Sequence, residues 1–227
     1  MKLNEYIDHT NLKPTATRRD IEKLCVEAAR WNFASVCVNP VHVPLAKALL
    51  KGTEVKICTV IGFPLGANST EMKVAEAKEA YKNGCDEFDM VINVGALKEG
   101  RFDFVQKEIE AVKFEIDDCT LKVIIETGLL SQYEKAMATK IVCDAGAEFV
   151  KTCTGFTEGK ATVEDVQLLV ENSEFYEYTQ VKASGGIRTF DDAMALIDAG
   201  ASRLGTSAGV KIMQEAMDNG KFEIYNN

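Results

Sequence analysis

The stretch "EFVKTCTGF", from Glu148 to Phe156, has the composition of a buried β-strand followed by a glycine turn, yet Lys151 lies in its middle. Lysine is among the residues found least often in a protein core, because removing an ammonium group from water is costly. The role of Lys151 therefore depends on the fold that the rest of the chain builds around this strand.

Seven further segments share this short apolar or β-branched character: "YIDHTNL", "ASVCVNP", "VKICTVIGFP", "EFDMVINV", "LKVIIETG", "QVKASGG" and "SRLGTSA". The centres of the eight segments are roughly 20–35 residues apart, which leaves room for one helix between neighbours. Intervening segments such as "STEMKVAEAKEAYKNG" have a capping residue (Ser69 or Thr70), helical periodicity and a closing glycine, Gly84.

Eight strand-then-helix units over residues 1–227 predict a single α/β domain, an eight-stranded parallel β/α barrel of the TIM type. A doubly wound open sheet is the main alternative, and the count of eight favours the closed barrel.

The composition limits the classes of partner. The chain has 227 residues, 46% of them hydrophobic, and its 35 acidic and 26 basic residues give a net charge of −9. An acidic protein is a poor partner for nucleic acid, but a small phosphorylated substrate needs only a local pocket of donors. No segment is apolar over the length of a bilayer, and "MKLNEYIDHT" is too polar for a signal peptide. Seven cysteines without a C-x-x-C pair favour reduced thiols in the cytoplasm.

Polar residues interrupt several of the predicted strands. In β/α barrels the chemistry takes place at the carboxyl ends of the strands. Alternation puts Asp8 with Thr10, and Asp89 with Asn93, on one face of each strand. If these faces point inward, we expect the polar residues to converge: Asp8, Thr10, Asp89, Asn93, Glu126, Lys151 and Lys182.

Two lysines on consecutive predicted strands, Lys151 and Lys182, are the strongest functional signal. They could be structural cations that reach the barrel rim and pair with carboxylates. The alternative is catalytic, because a neutral lysine amine attacks carbonyl groups, and burial and a neighbouring cation both depress a lysine pKa. With Asp89 on a nearby strand, the pair favours Schiff-base chemistry.

Glycine-rich turns follow the late strands, in "TCTGF", "ASGGIRT" and "LGTSAG". Such glycines can simply make tight turns, but loops after the seventh and eighth strands of these barrels frequently bind phosphate. The two histidines, His9 and His42, are too few and too far apart in sequence to indicate a metal site.

Taken together, "DHTNLKP", "VCVNP", "VIGFPLG", "EFDMVINVGAL", "KVIIETG", "FVKTCTGF", "VKASGGIRT" and "RLGTSAG" resemble the deoxyribose-phosphate aldolases, class I aldolases of deoxynucleoside breakdown. The resemblance runs in order from Asp8 to about Gly209, and "FVKT-x-TG" with "VKASGGIR" is a specific pair.

This resemblance implies an eight-stranded β/α barrel that reversibly cleaves 2-deoxy-D-ribose 5-phosphate to D-glyceraldehyde 3-phosphate and acetaldehyde, with neither a metal nor an organic cofactor. Lys151 would form the Schiff base, Lys182 would perturb it, and Asp89 would take part in a proton relay. The residues in the family's phosphate-holding loops would be Gly155, Gly185, Gly186 and Ser207. Family members are commonly dimers or tetramers, which implies a homo-oligomer.

The chain departs from the family pattern at Cys153, Phe156 and Ala208, which puts the affinity for the 5-phosphate in question more than the chemistry. Tyr225 is a candidate for the C-terminal tyrosine that helps proton transfer in some members, with a disordered tail as the alternative. Two other functions stay open: a Schiff-base lyase for another sugar phosphate, and a non-catalytic sugar-phosphate sensor.

Overall fold

The structure is a computed structural model that describes residues 2–116, 119–176 and 178–220. Tyr225 lies outside the described residues. No helix in the described part of the chain is both long and apolar enough to cross a lipid bilayer.

Eight parallel strands form a closed barrel in which neighbours in sequence are neighbours in space. The eighth strand pairs with the first, which closes the sheet, so the barrel prediction is confirmed and the open-sheet alternative is wrong. The strands are β1 (Ile7–Asn11), β2 (Ser35–Val38), β3 (Lys56–Ile61), β4 (Glu87–Val91), β5 (Thr120–Ile124), β6 (Phe149–Lys151), β7 (Gln180–Ser184) and β8 (Arg203–Thr206).

Helices follow the strands and surround the barrel, and the main apolar core lies between the two layers. They are α1 (Arg18–Trp31), α2 (Val43–Leu49), α3 (Thr70–Lys82), α4 (Val94–Lys98), α5 (Phe102–Glu115), α6 (Gln132–Asp144), α7 (Val163–Ser173), α8 (Phe190–Asp198) and α9 (Gly209–Asp218). Short 3-10 helices cover Leu3–Tyr6, Pro40–His42 and Thr127–Leu129.

The ends of α3 follow from local chemistry, as the sequence predicts. The Ser69 hydroxyl accepts a hydrogen bond from the Met72 N–H and so satisfies one of the free donors of the first turn. Gly84 follows the helix with φ at 88°, a left-handed conformation that glycine adopts without steric cost. Of the two candidate caps, Ser69 is therefore the correct one.

Strand register makes the two predicted lysines direct neighbours on adjacent strands. Lys151 and Lys182 are partners across β6 and β7, and Asp89 is the partner of Lys122 across β4 and β5. The expectation for Asn93 is wrong, because β4 ends at Val91 and the alternation ends with it. Asn93 instead caps α4, where its side chain accepts a hydrogen bond from the Ala96 N–H.

A buried ion pair fixes the helices that follow β3 and β4. The Lys73 Nζ on α3 lies 2.8 Å from Glu108 Oε2 on α5, and neither side chain is exposed. Lys73 also donates to the Val91 carbonyl at the end of β4, at 2.9 Å. Burial lowers the pKa of Lys73 and raises the pKa of Glu108, so desolvation opposes both charges and the pair depends on its geometry.

Replacing Glu108 with Gln should lower the free energy of unfolding by about 3–5 kcal/mol, because it leaves the Lys73 ammonium buried without a counter-charge. Urea unfolding measures this value. The double variant Lys73→Met/Glu108→Leu is the matched control and should lose less, since neither charge remains. A Glu108→Gln protein as stable as wild type would contradict this account of the pair.

Candidate active site

The carboxylate of Asp89, in the middle of β4, lies between the two predicted lysines. Its Oδ2 accepts hydrogen bonds from the Nζ of Lys151 and the Nζ of Lys182, each at 2.7 Å. The two nitrogens therefore lie no farther apart than twice this distance. The structure brings Lys151, Lys182 and Asp89 into direct contact inside the barrel, as the sequence predicts.

A third lysine, Lys122, also contacts this carboxylate. Its Nζ donates to Asp89 Oδ1 at 3.0 Å and lies 2.7 Å from Glu87 Oε2. Lys122 was not predicted from the sequence, although it lies in the middle of β5, as its neighbour Asp89 does in β4. The signal was nevertheless present, since "LKVII" is an apolar strand with a lysine in it, as is "FVKT".

Asp8 and Arg203 extend the cluster across the barrel. Asp8 Oδ2 lies 2.5 Å from the Nζ of Lys182, and Asp8 Oδ1 accepts from Arg203 Nη1 at 2.8 Å. Arg203 also contacts Glu87, at 3.1 Å. The cluster thus consists of three carboxylates (Asp8, Glu87, Asp89) and four cationic side chains (Lys122, Lys151, Lys182, Arg203).

The electrostatics of the cluster fix the protonation of its core members. Burial alone would raise the pKa of Asp89, but Lys122, Lys151 and Lys182 outweigh it and hold that pKa well below its ordinary value. Burial alone would lower the pKa of Lys182, but Asp8 and Asp89 raise it above its ordinary value. At neutral pH, Asp89 is therefore an anion and Lys182 a cation.

Three potential metal donors also meet here. Ligand atoms of Cys37, Cys58 and Asp89 lie within 4.8 Å of one another, the one such group that the described residues form. The Cys58 thiol donates to Asp89 Oδ1 at 3.1 Å, and Lys122 donates to the Cys58 sulfur at 3.3 Å. An ammonium group already in contact with two of the three donors disfavours a metal cation at this place.

A cavity of about 520 Å³ opens at the carboxyl ends of the strands, a volume in the usual range for small ligands. Lys151 lines this cavity, whereas Lys122, Lys182 and Asp89 do not. The exposed fraction is 3% for Lys151 and 0% for both other lysines. Of the three amines, that of Lys151 is the one that a ligand in the cavity reaches.

Backbone donors line another part of the same cavity, in the loops after β6, β7 and β8. The predicted residues Gly155, Gly185, Gly186 and Ser207 all line it. Within the described ranges, no acceptor takes the N–H of any of these four residues. The three glycines have φ between 79° and 97°, a region that other residues rarely adopt. Arg188, which is part of "ASGGIRT" but is not among the residues predicted to bind phosphate, also lines the cavity.

Three residues depart from the family pattern and differ in their relation to this cavity: Cys153, Phe156 and Ala208. Phe156 lines it, half-exposed, and packs edge-on against Phe63 with ring centroids 5.2 Å apart. Cys153 is buried outside the cavity lining, with its sulfur 3.4 Å from the Thr127 hydroxyl. Ala208 precedes α9 and provides no side-chain cap.

Thr10 and Glu126, two other residues predicted to converge at the site, differ in whether they line the cavity. Thr10 lines the cavity, whereas Asp8, which is predicted on the same face of β1, does not. Glu126 does not line it, and its carboxylate instead contacts Thr154 in the loop after β6.

Known proteins resemble this chain over nearly its whole length. The deoxyribose-phosphate aldolase of Streptococcus gordonii is 54% identical, over 98% of this chain and 100% of that protein. The deoxyribose-phosphate aldolase of Carboxydothermus hydrogenoformans is 56% identical, over 94% of each chain. The tetrameric structure of deoxyribose phosphate aldolase from Aeropyrum pernix superposes with a TM-score of 0.87 and 32% identity, covering 95% of this chain and 91% of that one.

The model of the DeoC/LacD family aldolases matches residues 3–215, a range that contains all eight strands, the lysine cluster and the glycine-rich loops. The chain belongs to the DeoC/LacD aldolase family.

Proposed function

We propose that this chain reversibly cleaves 2-deoxy-D-ribose 5-phosphate to D-glyceraldehyde 3-phosphate and acetaldehyde, through a Schiff base at Lys151. The observation that carries the proposal is the set of groups that line one cavity. Of the buried ionic cluster, this cavity presents one amine, that of Lys151. It also presents four backbone N–H groups without an acceptor in the described chain. An amine attacks an aldehyde, and free N–H groups bind a phosphate.

Charge balance supports Lys151 as the nucleophile. The three carboxylates of the cluster are matched by Lys122, Lys182 and Arg203, so a proton on Lys151 adds an unmatched positive charge in a buried place. The ammonium group of Lys182, bound to the same oxygen of Asp89, repels that extra charge directly. A neutral amine at Lys151 avoids both costs, and the neutral form is the one that attacks a carbonyl.

The chemical steps follow from these positions. The Lys151 amine adds to the C1 aldehyde of the open-chain sugar, and loss of water gives an iminium ion. A base removes the C3 hydroxyl proton, and the bond between C2 and C3 breaks with its electrons moving to the iminium, which becomes an enamine. Protonation of the enamine at C2 and hydrolysis release acetaldehyde and restore the free amine. Asp89 and Lys182, acting through water, are the relay that we propose for these protons.

In this proposal, the loops after β6, β7 and β8 bind the phosphate group of the substrate. The N–H groups of Gly155, Gly185, Gly186 and Ser207 provide the donors, and Arg188 adds a positive charge at the cavity wall. No metal and no organic cofactor has a role in these steps. We also propose a homo-oligomer, because the similar protein of Aeropyrum pernix is tetrameric. We place it in the cytoplasm on the expectation that its seven cysteines are reduced thiols.

Replacing Ser207 with Asp should raise the KM for deoxyribose 5-phosphate by more than about ten-fold, because a carboxylate within a few ångströms of a phosphate repels it. The KM for unphosphorylated deoxyribose should change much less. Steady-state assays of acetaldehyde release with both sugars measure the difference. Ser69→Asp is the matched control: it places the same charge at the start of α3, where aspartate also serves as a cap.

Equal losses for the two sugars would mean that the Ser207 loop serves the fold rather than the phosphate. Faster turnover of a different sugar phosphate by the wild-type protein would favour another Schiff-base lyase. Binding of the sugar phosphate without acetaldehyde release would favour the sensor.

Replacing Lys182 with Met should abolish most activity at neutral pH and move the active range to higher pH. Loss of the Lys182 charge removes the cation that repels a proton on Lys151 and leaves Asp8 and Asp89 less compensated. Both effects make the surroundings of the Lys151 nitrogen more negative, which opposes the neutral amine that attacks a carbonyl. The measurement is kcat/KM against pH, together with the rate of imine formation with acetaldehyde.

Lys122→Met is the matched control, because Lys122 is equally buried but contacts the other oxygen of Asp89. It should shift the pH profile less than Lys182→Met does. Near-normal turnover of Lys182→Met at neutral pH, with an unshifted profile, would make Lys182 a structural cation only.

A further inference from the structure

Glu126, which follows β5, has an unusual backbone conformation. Its φ of 57° and ψ of 66° lie in the left-handed region, which residues other than glycine rarely adopt, and the residue is buried. A conformation of this kind persists only where surrounding contacts impose it, and such residues are frequent at functional sites.

Among the described residues, the Glu126 side chain forms hydrogen bonds with one residue, Thr154. Its Oε2 accepts a hydrogen bond of 2.6 Å from the Thr154 hydroxyl, and both carboxylate oxygens accept from the Thr154 N–H at 3.3 Å. No cation pairs with Glu126 in the part of the chain that the structure describes. The carboxylate is therefore held by Thr154 alone, three residues after Lys151.

Thr154 in turn holds the backbone of the loop after β6. Because its hydroxyl donates to Glu126, the hydroxyl oxygen is oriented to accept from the Phe156 N–H, at 3.1 Å. The N–H groups on both sides of Gly155 are thus occupied, that of Thr154 by Glu126 and that of Phe156 by the Thr154 hydroxyl. The N–H of Gly155 is left without an acceptor among the described residues. Gly155 lines the cavity, so its N–H is the donor that this loop keeps for a ligand.

We infer that Glu126 is a positioning residue: through Thr154 it fixes the loop after β6 so that the Gly155 N–H binds the phosphate of the substrate. This inference rests on the proposed function, which places a phosphate in the cavity. Glu126 itself does not line the cavity and takes no part in the bond-breaking step.

The two loops are also joined without the Glu126 side chain. The Ile125 N–H donates to the Lys151 carbonyl and the Thr127 N–H to the Thr152 carbonyl, each at 3.0 Å. Gly128 and Gly159 pack so closely that a Cβ added to Gly128 would lie 2.7 Å from the Cα of Gly159. These backbone contacts remain when the carboxylate is changed, so we expect Glu126→Gln to fold and to keep Lys151 in place.

The test compares Glu126→Gln with wild type on deoxyribose 5-phosphate and on unphosphorylated deoxyribose. Glutamine keeps one acceptor oxygen, but it lacks the charge that strengthens the bonds from Thr154, and its amide NH2 group cannot accept from the Thr154 N–H. We expect the KM for the phosphorylated sugar to rise about ten-fold, and kcat/KM for the unphosphorylated sugar to stay within about two-fold. Thr154→Val, which lacks the hydroxyl, should likewise raise the KM for the phosphorylated sugar selectively. Thr154→Ser, which has a hydroxyl, should keep the wild-type KM.

An unchanged KM in both Glu126→Gln and Thr154→Val overturns the inference, and so does an equal loss on the two sugars. Wild-type protein that does not cleave deoxyribose 5-phosphate would instead overturn the proposed function, and the inference with it. The wild-type assay therefore separates the two failures.

Discussion

One carboxylate inside the barrel, that of Asp89, accepts hydrogen bonds from three lysine side chains, those of Lys122, Lys151 and Lys182. Burying so many cations is costly unless each has a counter-charge within hydrogen-bonding distance. Asp8 and Glu87 provide two further carboxylates, and Arg203 links them. The positions of all these residues depend on closure of the barrel, because β1, β4, β5, β6, β7 and β8 each contribute at least one of them.

The three lysines of the cluster have different surroundings and therefore different roles. Lys122 and Lys182 are sealed from solvent, and the carboxylates raise their pKa values, so both remain ammonium groups. Lys151 is at the end of β6, where it touches both Asp89 and the cavity. The fold thus surrounds one accessible amine with fixed charges and places free backbone donors on the same cavity, an arrangement suited to a substrate with an aldehyde and a phosphate.

Much of this arrangement could be predicted from local patterns. The eight strands, the Ser69 cap and the glycine after α3 each depend on a few adjacent residues, and the structure confirms them. Lys151 and Lys182 were detectable because a lysine in an apolar strand is unusual. Lys122 gave the same signal, a lysine in the middle of an apolar strand, but it was not among the predicted residues.

The remaining features depend on contacts between residues distant in sequence. The Asp8–Arg203 pair joins the first and last strands, and no local pattern predicts it. Glu126 adopts a left-handed conformation that sequence rules associate with glycine or asparagine, so its contact with Thr154 was not predictable. Asn93 was misplaced because alternation was extended beyond the end of β4.

The central claim is that the cluster leaves Lys151 as the reactive amine, and covalent trapping tests it most directly. The protein is incubated with acetaldehyde, the imine is reduced with borohydride, and the modified lysine is located by digestion and mass spectrometry. Lys151→Met, which keeps most of the side-chain volume and lacks the amine, is the control for modification of surface lysines. The account predicts a reduced adduct on Lys151 that is absent from the control, with Lys122 and Lys182 unmodified. An adduct on Lys122 or Lys182, with Lys151 untouched, would contradict it.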